Sequence, residues 1–413
     1  MIIFRILDHK SANLCSNTIA RTEMLTTIIY RSHAHSSISR TSIMEMIELA
    51  NAHNIKSDVT GILIFNGIHF LQLLEGPEAQ VNDIYTRISR DTRHFNIVEL
   101  LNDVAPFRRF GNAGMELIDI DLHSHEDCLR TILNRGTAKH QLLYNDRALR
   151  FFRTFIESIQ HEKYYELPPV SEWQFSREPL IPESPYFSSS FIINPVVDPL
   201  ARKVHSFQLS NPVTTGLYGM GLLQHDLESK RVALLEAGSF LQSGQRVSIS
   251  LLPLTIIKIS NAPCTLLKYI EQSGLIPEQI IIEFLEKDLF ANIDEFLHAL
   301  RTLKSAGISV AINDFGSGHA GLLLLTKFQP EKIKIHSELI RNIHRDGAKQ
   351  AVVQSIINCC DTLEIRICAT GIEKAEEWMW LESAGIAYFQ GPLFSGYSDD
   401  GLPFVSWPDP VEI

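Results

Sequence analysis

The first part of the chain alternates short apolar runs with amphipathic segments, a pattern that predicts a mixed domain of strands and helices. A strand-like run, MLTTIIYRS, begins at Met24, and a helical apolar periodicity extends from Ser42 to His53. Two further runs flank the Asn66-Gly67 pair, a second helical pattern follows Pro77, and two more strand-like runs come later. The order βαββαββ is typical of a small α+β sandwich with both helices on one face of the sheet.

The Asn66-Gly67 pair predicts a tight hairpin, because a two-residue type I′ turn needs positive φ at both central residues. In that register Gly61 faces Gln72, so Gln72 lies on an apolar sheet face opposite a residue without a side chain. A buried primary amide destabilises a protein by roughly 1–3 kcal/mol unless it finds hydrogen-bond partners. The pattern is equally consistent with two kinds of partner for Gln72: backbone or water, and a bound ligand.

An amphipathic helix and a proline-rich stretch follow the first domain. The helix is predicted from Arg147 to Gln160, and either packing on the first domain or relaying a signal would suit its apolar face. Prolines then recur between Leu167 and Pro185, where they fix φ and remove backbone N–H donors. This stretch is therefore predicted to be a connector between domains rather than a packed element.

The second half of the chain repeats buried strand patterns separated by longer helical patterns, which predicts a parallel (β/α) barrel. The strand-like runs are VSISLL, IIIEF, ISVAIND, KIKI, IRICAT and AYFQ. In such a barrel the polar residues at the carboxyl ends of the strands converge on one rim. Those residues are Ser250, Glu283, Asn313, Asp314, Lys334, His336, Thr370 and Gln390.

Composition and charge restrict the classes of protein. The 413 residues are 45% hydrophobic and 21% charged, which excludes disorder as the dominant state. Lys and Arg number 37 against 48 Asp and Glu, and the net charge of −11 argues against direct binding of nucleic acid. No apolar run approaches the roughly 20 residues of a membrane span. The six cysteines form no CxxC pair, so a cytoplasmic protein with reduced thiols is predicted.

The first domain contains the segments IIYRS, AHN, TGILIFN, FLQLLEG, RH and RRFGNAGM. Together they resemble the BLUF family, the flavin-based blue-light sensors, over roughly one hundred residues from Met24. The resemblance implies a ferredoxin-like α+β fold and a flavin cofactor, with FAD as the expectation.

The same resemblance implies three photochemical residues. Tyr30 would donate an electron to the excited flavin, and Gln72 would be the amide that switches hydrogen bonds between the tyrosine and the flavin ring. Met115 matches a methionine on the last strand beside that amide. One departure is Ala113, which occupies the position of a tryptophan that some members carry.

Three more positions match residues that bind the cofactor. Asn54 would hold the edge of the flavin ring with its amide. Arg93 and His94 match positions near the cofactor phosphates.

The second half contains DLESK, SLLP, IIEFLE, NDFGSGHAG, FQPEKIKI, ATGIE and FQGPLFS. From about Ser190 to Trp407 this set resembles the EAL family of cyclic di-GMP phosphodiesterases, which implies a TIM-like (β/α) barrel. Active members hold two Mg²⁺ or Mn²⁺ ions with a ring of carboxylates and one asparagine.

Most of that ring is replaced in this chain. The positions that match its other acids and its asparagine carry Gln208, Ser250, Asn313, His336 and Thr370. The remnants of the rim are the ring acids Glu283 and Asp314, the catalytic-type Lys334 and the supporting acid Glu373. Two carboxylates cannot offset four positive charges as six would, so no metal, no catalytic residue and no phosphodiesterase activity are predicted.

The predicted function is therefore a blue-light photoreceptor whose degenerate barrel binds a protein partner. A resemblance to the enterobacterial light-responsive antirepressors, which join BLUF to EAL, implies that the partner is a transcriptional repressor of the MerR type. No direct contact with nucleic acid or membrane is expected, and a homodimer is compatible with the fold. A light-regulated cyclic di-GMP phosphodiesterase and a cyclic di-GMP receptor that does not hydrolyse its ligand remain as alternatives.

These inferences divide the chain into five segments. They are an N-terminal extension or non-native segment (1–23), the BLUF domain (24–121), linking helices (122–165), a proline-rich linker (166–189) and the degenerate EAL domain (190–413).

Overall fold

The computed structural model describes most of the chain. The described residues are 25–36, 38–105, 108–111, 113–120, 128, 130–132, 134, 147–158, 167–168, 170–180, 191–210, 216–242, 244–289, 293–318, 321–398 and 403–410. The predicted extension over 1–23 lies outside them, as does most of 122–165. The chain divides into two compact units near residue 165. None of the described helices combines the length and the apolar character needed to cross a membrane.

The first unit is an α+β sandwich with the predicted order of elements. Its elements are β1 (Leu25–Ala34), α1 (Arg40–Lys56), β2 (Thr60–Phe65), β3 (His69–Pro77), α2 (Glu78–Ile88), β4 (His94–Ala105), β5 (Glu116–Asp119) and α3 (Arg147–Ser158). The strands form one sheet in the order β4-β1-β3-β2-β5, in which β2 and β5 are parallel and the other neighbours antiparallel. The first four strands and two helices follow the ferredoxin-like order that the sequence predicted.

The two faces of this sheet bury separate apolar clusters. One cluster joins the sheet to α1 and α2 through Ile43 and Val81. The other joins the opposite face to α3, whose Phe152 and Ile156 are fully buried. The predicted packing of the helix after residue 147 on the first unit is thus confirmed. Burial of α3 accounts for its strongly one-sided apolar pattern.

The predicted hairpin register between β2 and β3 is wrong by two residues. Gly61 faces Leu74, and Gln72 faces Leu63. The loop is longer than two residues because the Asn66 side chain accepts hydrogen bonds from the backbone N–H groups of Ile68 (3.1 Å) and His69 (2.6 Å). An asparagine side chain that closes its own turn in this way competes with a type I′ turn.

The second unit is built around a closed barrel of eight strands. Its strands are β6 (Trp173–Pro179), β7 (Ile192–Asp198), β8 (Lys203–Ser210), β9 (Val247–Ser250), β10 (Ile280–Leu285), β11 (Ser309–Phe315), β12 (Lys332–Ile335), β13 (Arg366–Thr370), β14 (Tyr388–Gln390), β15 (Ser395–Tyr397) and β16 (Pro403–Pro410). Its helices are α4 (Gly219–Phe240), α5 (Pro253–Lys258), α6 (Ala262–Gln272), α7 (Ile293–Ser305), α8 (Gly321–Lys327), α9 (Ser337–Ile340), α10 (Gly347–Thr362) and α11 (Ala375–Ser383). The barrel order is β10-β11-β12-β13-β14-β7-β8-β9, and β7 runs antiparallel to both of its neighbours.

Alternation along the barrel strands separates an apolar outside from a polar inside. On β12, Ile333 and Ile335 belong to the apolar core between barrel and helices, whereas Lys332 and Lys334 do not. The same alternation holds on β9, where Val247 belongs to that core and Ser248 does not. Side chains on a strand point alternately to opposite faces, so the polar set lines the inside of the barrel.

The prediction that residues 166–189 form an unpacked linker is wrong for part of this range. Trp173–Pro179 forms β6, which pairs antiparallel with β16 in a three-stranded sheet. Trp173 and Phe175 pack against the core of the second unit. Pro179 does not prevent this pairing because it is the last residue of β6 and the sheet places β6 at its edge.

Candidate functional site

A cavity of about 300 Å³ lies in the first unit between the sheet and the helices α1 and α2. Every residue predicted to bind a flavin or to take part in its photochemistry lines this cavity. They are Tyr30, Asn54, Gln72, Arg93, His94 and Met115. Most of the remaining lining is apolar and comes from α1 and α2, including Ile43, Ile47, Ala50 and Ile84.

Tyr30 and Gln72 are held together by strand pairing. They are direct partners across β1 and β3, and the Tyr30 hydroxyl donates a hydrogen bond to Oε1 of Gln72. Both side chains are buried, at 2% and 6% exposure. Burial, together with the nearby Tyr85 and Asp91, raises the pKa of Tyr30 well above its usual value. Tyr30 is therefore a neutral phenol whose proton points at the glutamine.

The other end of the Gln72 amide reaches Met115. Gln72 Nε2 donates to Sδ of Met115 at 3.5 Å, the limit for a weak sulfur acceptor. The sequence left backbone, water and ligand as the possible partners of Gln72. In the described structure its amide instead contacts two side chains, and its N–H group donates only to the thioether of Met115.

Gly61 makes space for this arrangement. A Cβ at Gly61 would lie 2.9 Å from Cε of Met115 and 2.8 Å from the carbonyl oxygen of Leu73. The sequence analysis expected the missing side chain to leave room beside Gln72. In the structure that room is filled by Met115, which then contacts the amide.

Asn54 lies at the end of α1, where it is 2% exposed. Its Nδ2 donates to the carbonyl of Gly114 at 2.9 Å, and Asn51 Oδ1 accepts from the backbone N–H of Met115 at 3.1 Å. Gly114 is needed because a Cβ there would lie 2.5 Å from the carbonyl oxygen of Asn51. Two asparagines on one helix thus hold the segment that carries Met115.

Arg93 and His94 have different surroundings although they are neighbours in sequence. The Arg93 guanidinium is half-exposed and pairs with Asp91, whose hydrogen bonds from Arg93 lower the pKa of that carboxyl group. His94 is bonded at both ring nitrogens, Nδ1 to Ser32 Oγ at 2.9 Å and Nε2 to the carbonyl of Ile88 at 3.1 Å. Burial lowers the pKa of His94, so its ring is neutral. Arg93 retains a charge suited to a phosphate at the cavity, whereas both His94 nitrogens are already engaged.

A buried ion pair that the sequence analysis missed supports the same segment. The Glu75 carboxylate is fully buried and accepts from Arg109 Nη1 at 2.8 Å and from Thr27 Oγ1 at 2.9 Å. It also accepts from the backbone N–H groups of Arg109 (2.7 Å) and Phe110 (3.2 Å). An acid inside an apolar strand and two adjacent arginines in RRFG were the signals that could have suggested this pair.

In the second unit, the predicted rim residues meet in one buried network. Gln208 Nε2 donates to Oε2 of Glu283 at 2.7 Å, and Lys334 Nζ lies 3.2 Å from Oε1 of the same carboxylate. Gln390 Nε2 in turn donates to Oε1 of Gln208 at 2.8 Å. The charges of Glu283 and Lys334 offset each other, and the two amides occupy the remaining hydrogen-bonding positions.

The other rim residues serve local structure. Thr370 Oγ1 donates to the carbonyl of Ile335 at 2.6 Å, and Nδ1 of His336 accepts from the backbone N–H of Glu338 at the start of α9. Glu373 is half-exposed and pairs with Arg341 at 3.5 Å. The Asn313 side chain accepts from the backbone N–H of Asp314 at 2.9 Å.

The rim therefore does not fit two divalent cations. Glu283 is one of the two ring acids that remain, and its oxygens face an ammonium and an amide N–H, both of which repel a metal ion. Among the residues that the structure describes, no hydrogen bond or ion pair brings Asp314 or Glu373 to Glu283, and no cluster of three His, Cys, Asp or Glu side chains is arranged to hold a metal.

A second cavity, of about 520 Å³, opens at the carboxyl ends of β8, β9 and β10 beside α4. Its polar lining includes Ser210, Ser250, His225 and Lys230. Asp226 also lines this cavity and fixes the start of α5, because its Oδ2 accepts from the backbone N–H of Leu252 at 3.0 Å and from the Thr255 hydroxyl at 2.5 Å.

Comparison with known proteins identifies both units. The family model described as sensors of blue-light using FAD (BLUF) matches residues 25–116, and the EAL domain model matches residues 229–397. The chain is 47% identical over 401 residues to the blue light- and temperature-regulated antirepressor BluF of Escherichia coli, covering 94% of this chain and 100% of that protein.

Solved structures agree with this relationship. A manganese and cyclic di-GMP complex of BlrP1 from Klebsiella pneumoniae has a TM-score of 0.85 and 36% identity, covering 94% of this chain and all of that one. A complex of the same protein with FMN and cyclic di-GMP, without metal ions, has a TM-score of 0.79 at 33% identity and the same coverage. The chain belongs to the family in which a flavin-binding BLUF domain is followed by an EAL domain, the family of the E. coli antirepressor BluF.

Proposed function

We propose that this protein senses blue light with FAD bound in the cavity of its BLUF domain, and that its EAL domain signals to a protein partner without hydrolysing cyclic di-GMP. The observation that carries the sensory part is the buried chain of contacts from the Tyr30 hydroxyl through the Gln72 amide to Met115. A flavin fits this cavity because Gln72 and Asn54 supply buried amides within an otherwise apolar lining, and because Arg93 supplies a cation at its edge.

Bound in this cavity, a flavin supplies absorption of blue light and an acceptor for one electron. The residues of the chain supply the proton and the switch. Loss of an electron makes the Tyr30 phenol strongly acidic, and its proton already points at Oε1 of Gln72. The amide can then exchange partners, since both of its ends are hydrogen-bonding groups and its donor is held only by a thioether.

The two amides of the EAL rim support the second part of the proposal. Gln208 donates to Glu283, and Gln390 donates to Gln208, where an active enzyme would need bare carboxylates around its metals. The domain keeps its barrel and loses the charge that two cations require.

The partner is proposed from the family. The E. coli relative is named as an antirepressor, and an antirepressor acts by binding a repressor. We propose a MerR-type transcriptional repressor as the partner and the cytoplasm as the location. An acidic protein with a net charge of −11 is suited to a basic DNA-binding partner.

A second candidate function is binding of cyclic di-GMP without hydrolysis. The 520 Å³ cavity at the carboxyl ends of the strands favours it, as does the ligand named for the Klebsiella structure. In this case the nucleotide would act as a second signal beside light.

Reversible absorbance spectroscopy tests the sensory proposal. The purified protein is expected to be yellow, and blue light should shift its flavin absorption to the red, with recovery in the dark. Tyr30→Phe should abolish the shift, because it removes the proton that Gln72 accepts. Tyr85→Phe is the matched control, since its ring centroid lies 5.4 Å from that of Tyr30. A Tyr30→Phe protein with an unchanged photocycle would refute the assignment.

A titration of cyclic di-GMP with Mg²⁺ or Mn²⁺, in dark and in light, tests the output. We expect no linear product in either state. Product would establish a phosphodiesterase, and binding without product would establish the receptor. Capture of a MerR-type repressor from lysate by the lit protein, and not by the dark protein, is the result expected for the interaction module.

A further inference from the structure

The interior of the EAL barrel has two layers with different charge balance. Towards the carboxyl ends of the strands, Glu283 offsets Lys334 and the amides are satisfied. Towards the amino ends, the layer contains Lys332 and Arg366, which are register partners on β12 and β13. The ring of Tyr388 on β14 lies beside Lys332. No acid alternates with these cations on the same strands.

Lys332 is the most deeply buried cation of this layer, at 4% exposure. Its Nζ lies 5.9 Å from the centroid of the Tyr388 ring. No described carboxylate lies within ion-pair distance of it. Burial is the main cause that lowers the pKa of Lys332 to about 8, with Cys368 and Glu283 opposing it and Lys334 and Arg246 adding to it. An ammonium group without a counterion in this position is destabilising unless something neutralises it.

Other polar atoms around this layer also lack partners. The buried side-chain atoms without a hydrogen bond in the described part of the chain include Nε2 of His205, Nε of Arg246, Oγ of Ser206 and Oγ of Ser248. The two serines are each 1% exposed. All four can donate a hydrogen bond, and native proteins rarely leave such groups unmatched.

Several cations of this layer act electrostatically on His205. Lys332, Arg246, Arg366 and Lys203 all oppose protonation of His205, and with its burial they lower its pKa to about 3. His205 is therefore neutral and can donate from one ring nitrogen.

Two acids act on this layer, and both are already engaged, Glu283 by its ion pair with Lys334 and Glu331 by other partners. Glu331 acts electrostatically on Arg246. Its Oε1 lies 3.0 Å from Lys304 Nζ, and its Oε2 accepts from the backbone N–H of Val310 at 2.7 Å. The layer as a whole therefore keeps an excess of positive charge and of donors.

We propose that the amino-terminal end of the EAL barrel binds a small inorganic oxyanion of the phosphate class. Lys332, Arg246 and Arg366 would supply the charge, and His205 with the two serines would supply neutral donors. Several donors pointing inward from different strands suit an anion with several oxygens better than a halide. The site is separate from the 520 Å³ cavity, because that cavity lies at the opposite ends of the strands.

The test uses the full-length protein and inorganic phosphate, with chloride at equal ionic strength as the ionic control. Phosphate should raise the melting temperature of the EAL domain in proportion to the logarithm of its concentration, since it binds the folded state. Isothermal titration should give one site per chain. Lys332→Met should weaken phosphate binding about tenfold, the loss expected for one charge-assisted hydrogen bond. Lys268→Met, at an exposed position on α6, should leave binding unchanged.

Lys332→Met should also raise the melting temperature in the absence of phosphate, because it removes a buried cation that has no partner. If this variant does not fold, Arg366→Gln at the exposed edge of the layer replaces it and should also weaken binding. Equal responses to phosphate and chloride, or the same phosphate affinity in the wild type and the variant, would overturn the proposal.

Discussion

The side-chain amide of Gln208 donates a hydrogen bond to the carboxylate of Glu283 at 2.7 Å, inside a barrel where both residues are buried. Lys334 reaches the same carboxylate at 3.2 Å. The position that matches the signature acid of the EAL family therefore supplies a donor instead of a negative charge. This hydrogen bond and the ion pair with Lys334 together engage both oxygens of Glu283.

Gln208→Glu is expected to lower the free energy of unfolding of the EAL domain by about 3 kcal/mol at neutral pH. It would place two buried carboxylates against each other and remove the donor. Denaturant titration measures the change. Gln208→Met is the control that removes the donor without adding charge, so the difference between the two variants isolates the repulsion. A Gln208→Glu protein as stable as the wild type would contradict this view of the network.

Met115→Leu should lengthen the life of the lit state about two- to fivefold. The sulfur is the acceptor that holds the Gln72 amide with its oxygen towards Tyr30, and a contact of this kind contributes about 0.5–1 kcal/mol. Decay of the red-shifted absorbance in the dark after a blue flash gives the rate. Met46→Leu changes the same cavity away from Gln72 and should recover at the wild-type rate. Equal rates in the Met115→Leu and Met46→Leu proteins would show that the sulfur contact has no role in recovery.

Glu75→Gln should destabilise the BLUF domain by about 3–5 kcal/mol, because it leaves the Arg109 guanidinium without its buried counterion. Chemical denaturation followed by release of the flavin measures the effect. Glu78→Gln, in the exposed first turn of α2, is the matched control and should change stability by less than about 0.5 kcal/mol. A loss no larger than that of the control would mean that the ion pair contributes little.

Glu382 should make the stability of the EAL domain depend on pH. Burial raises the pKa of this acid to about 7 from an ordinary 4.5, with the charge of Asp198 adding to the effect and a hydrogen bond from Trp378 opposing it. The folded state thus favours the protonated acid, and stability is lost as the pH rises from about 4.5 to about 7. Glu382→Gln imitates the protonated form, so its advantage in melting temperature should grow over this range, by roughly 2–4 °C.

Thermal melts of wild type, Glu382→Gln and the exposed control Glu271→Gln between pH 4 and pH 8 provide the measurement. The control should follow the wild type throughout. An advantage of Glu382→Gln that is the same at both ends of the range would exclude the buried acid as the source of the pH dependence.

Local patterns predicted most of the fold. The alternation in β2 and β3, and the helical spacing of Ile43 and Ile47, were sufficient for the βαββαββ order, since they depend only on which neighbouring residues share a face. The same reasoning predicted the barrel from repeated strand patterns. Two predicted details, the hairpin register and the unpacked linker, were wrong for the same reason, because each depended on contacts that no local pattern shows. The hairpin register depended on hydrogen bonds that the Asn66 side chain accepts from the backbone, and the strand Trp173–Pro179 depended on a partner strand, β16, more than two hundred residues later.

The sequence by itself determined the order of elements from local spacing and indicated the family from its motifs, and the resemblance to that family implied Tyr30, Gln72 and Asn54 as candidate flavin contacts. Only the tertiary structure decided what each polar group meets. Gln72 meets Met115 from 43 positions away, and Gln208 meets Glu283 from 75 positions away. A buried amide or carboxylate must find its partner in space, and the tertiary packing that brings distant positions within hydrogen-bond distance is not encoded in any local pattern.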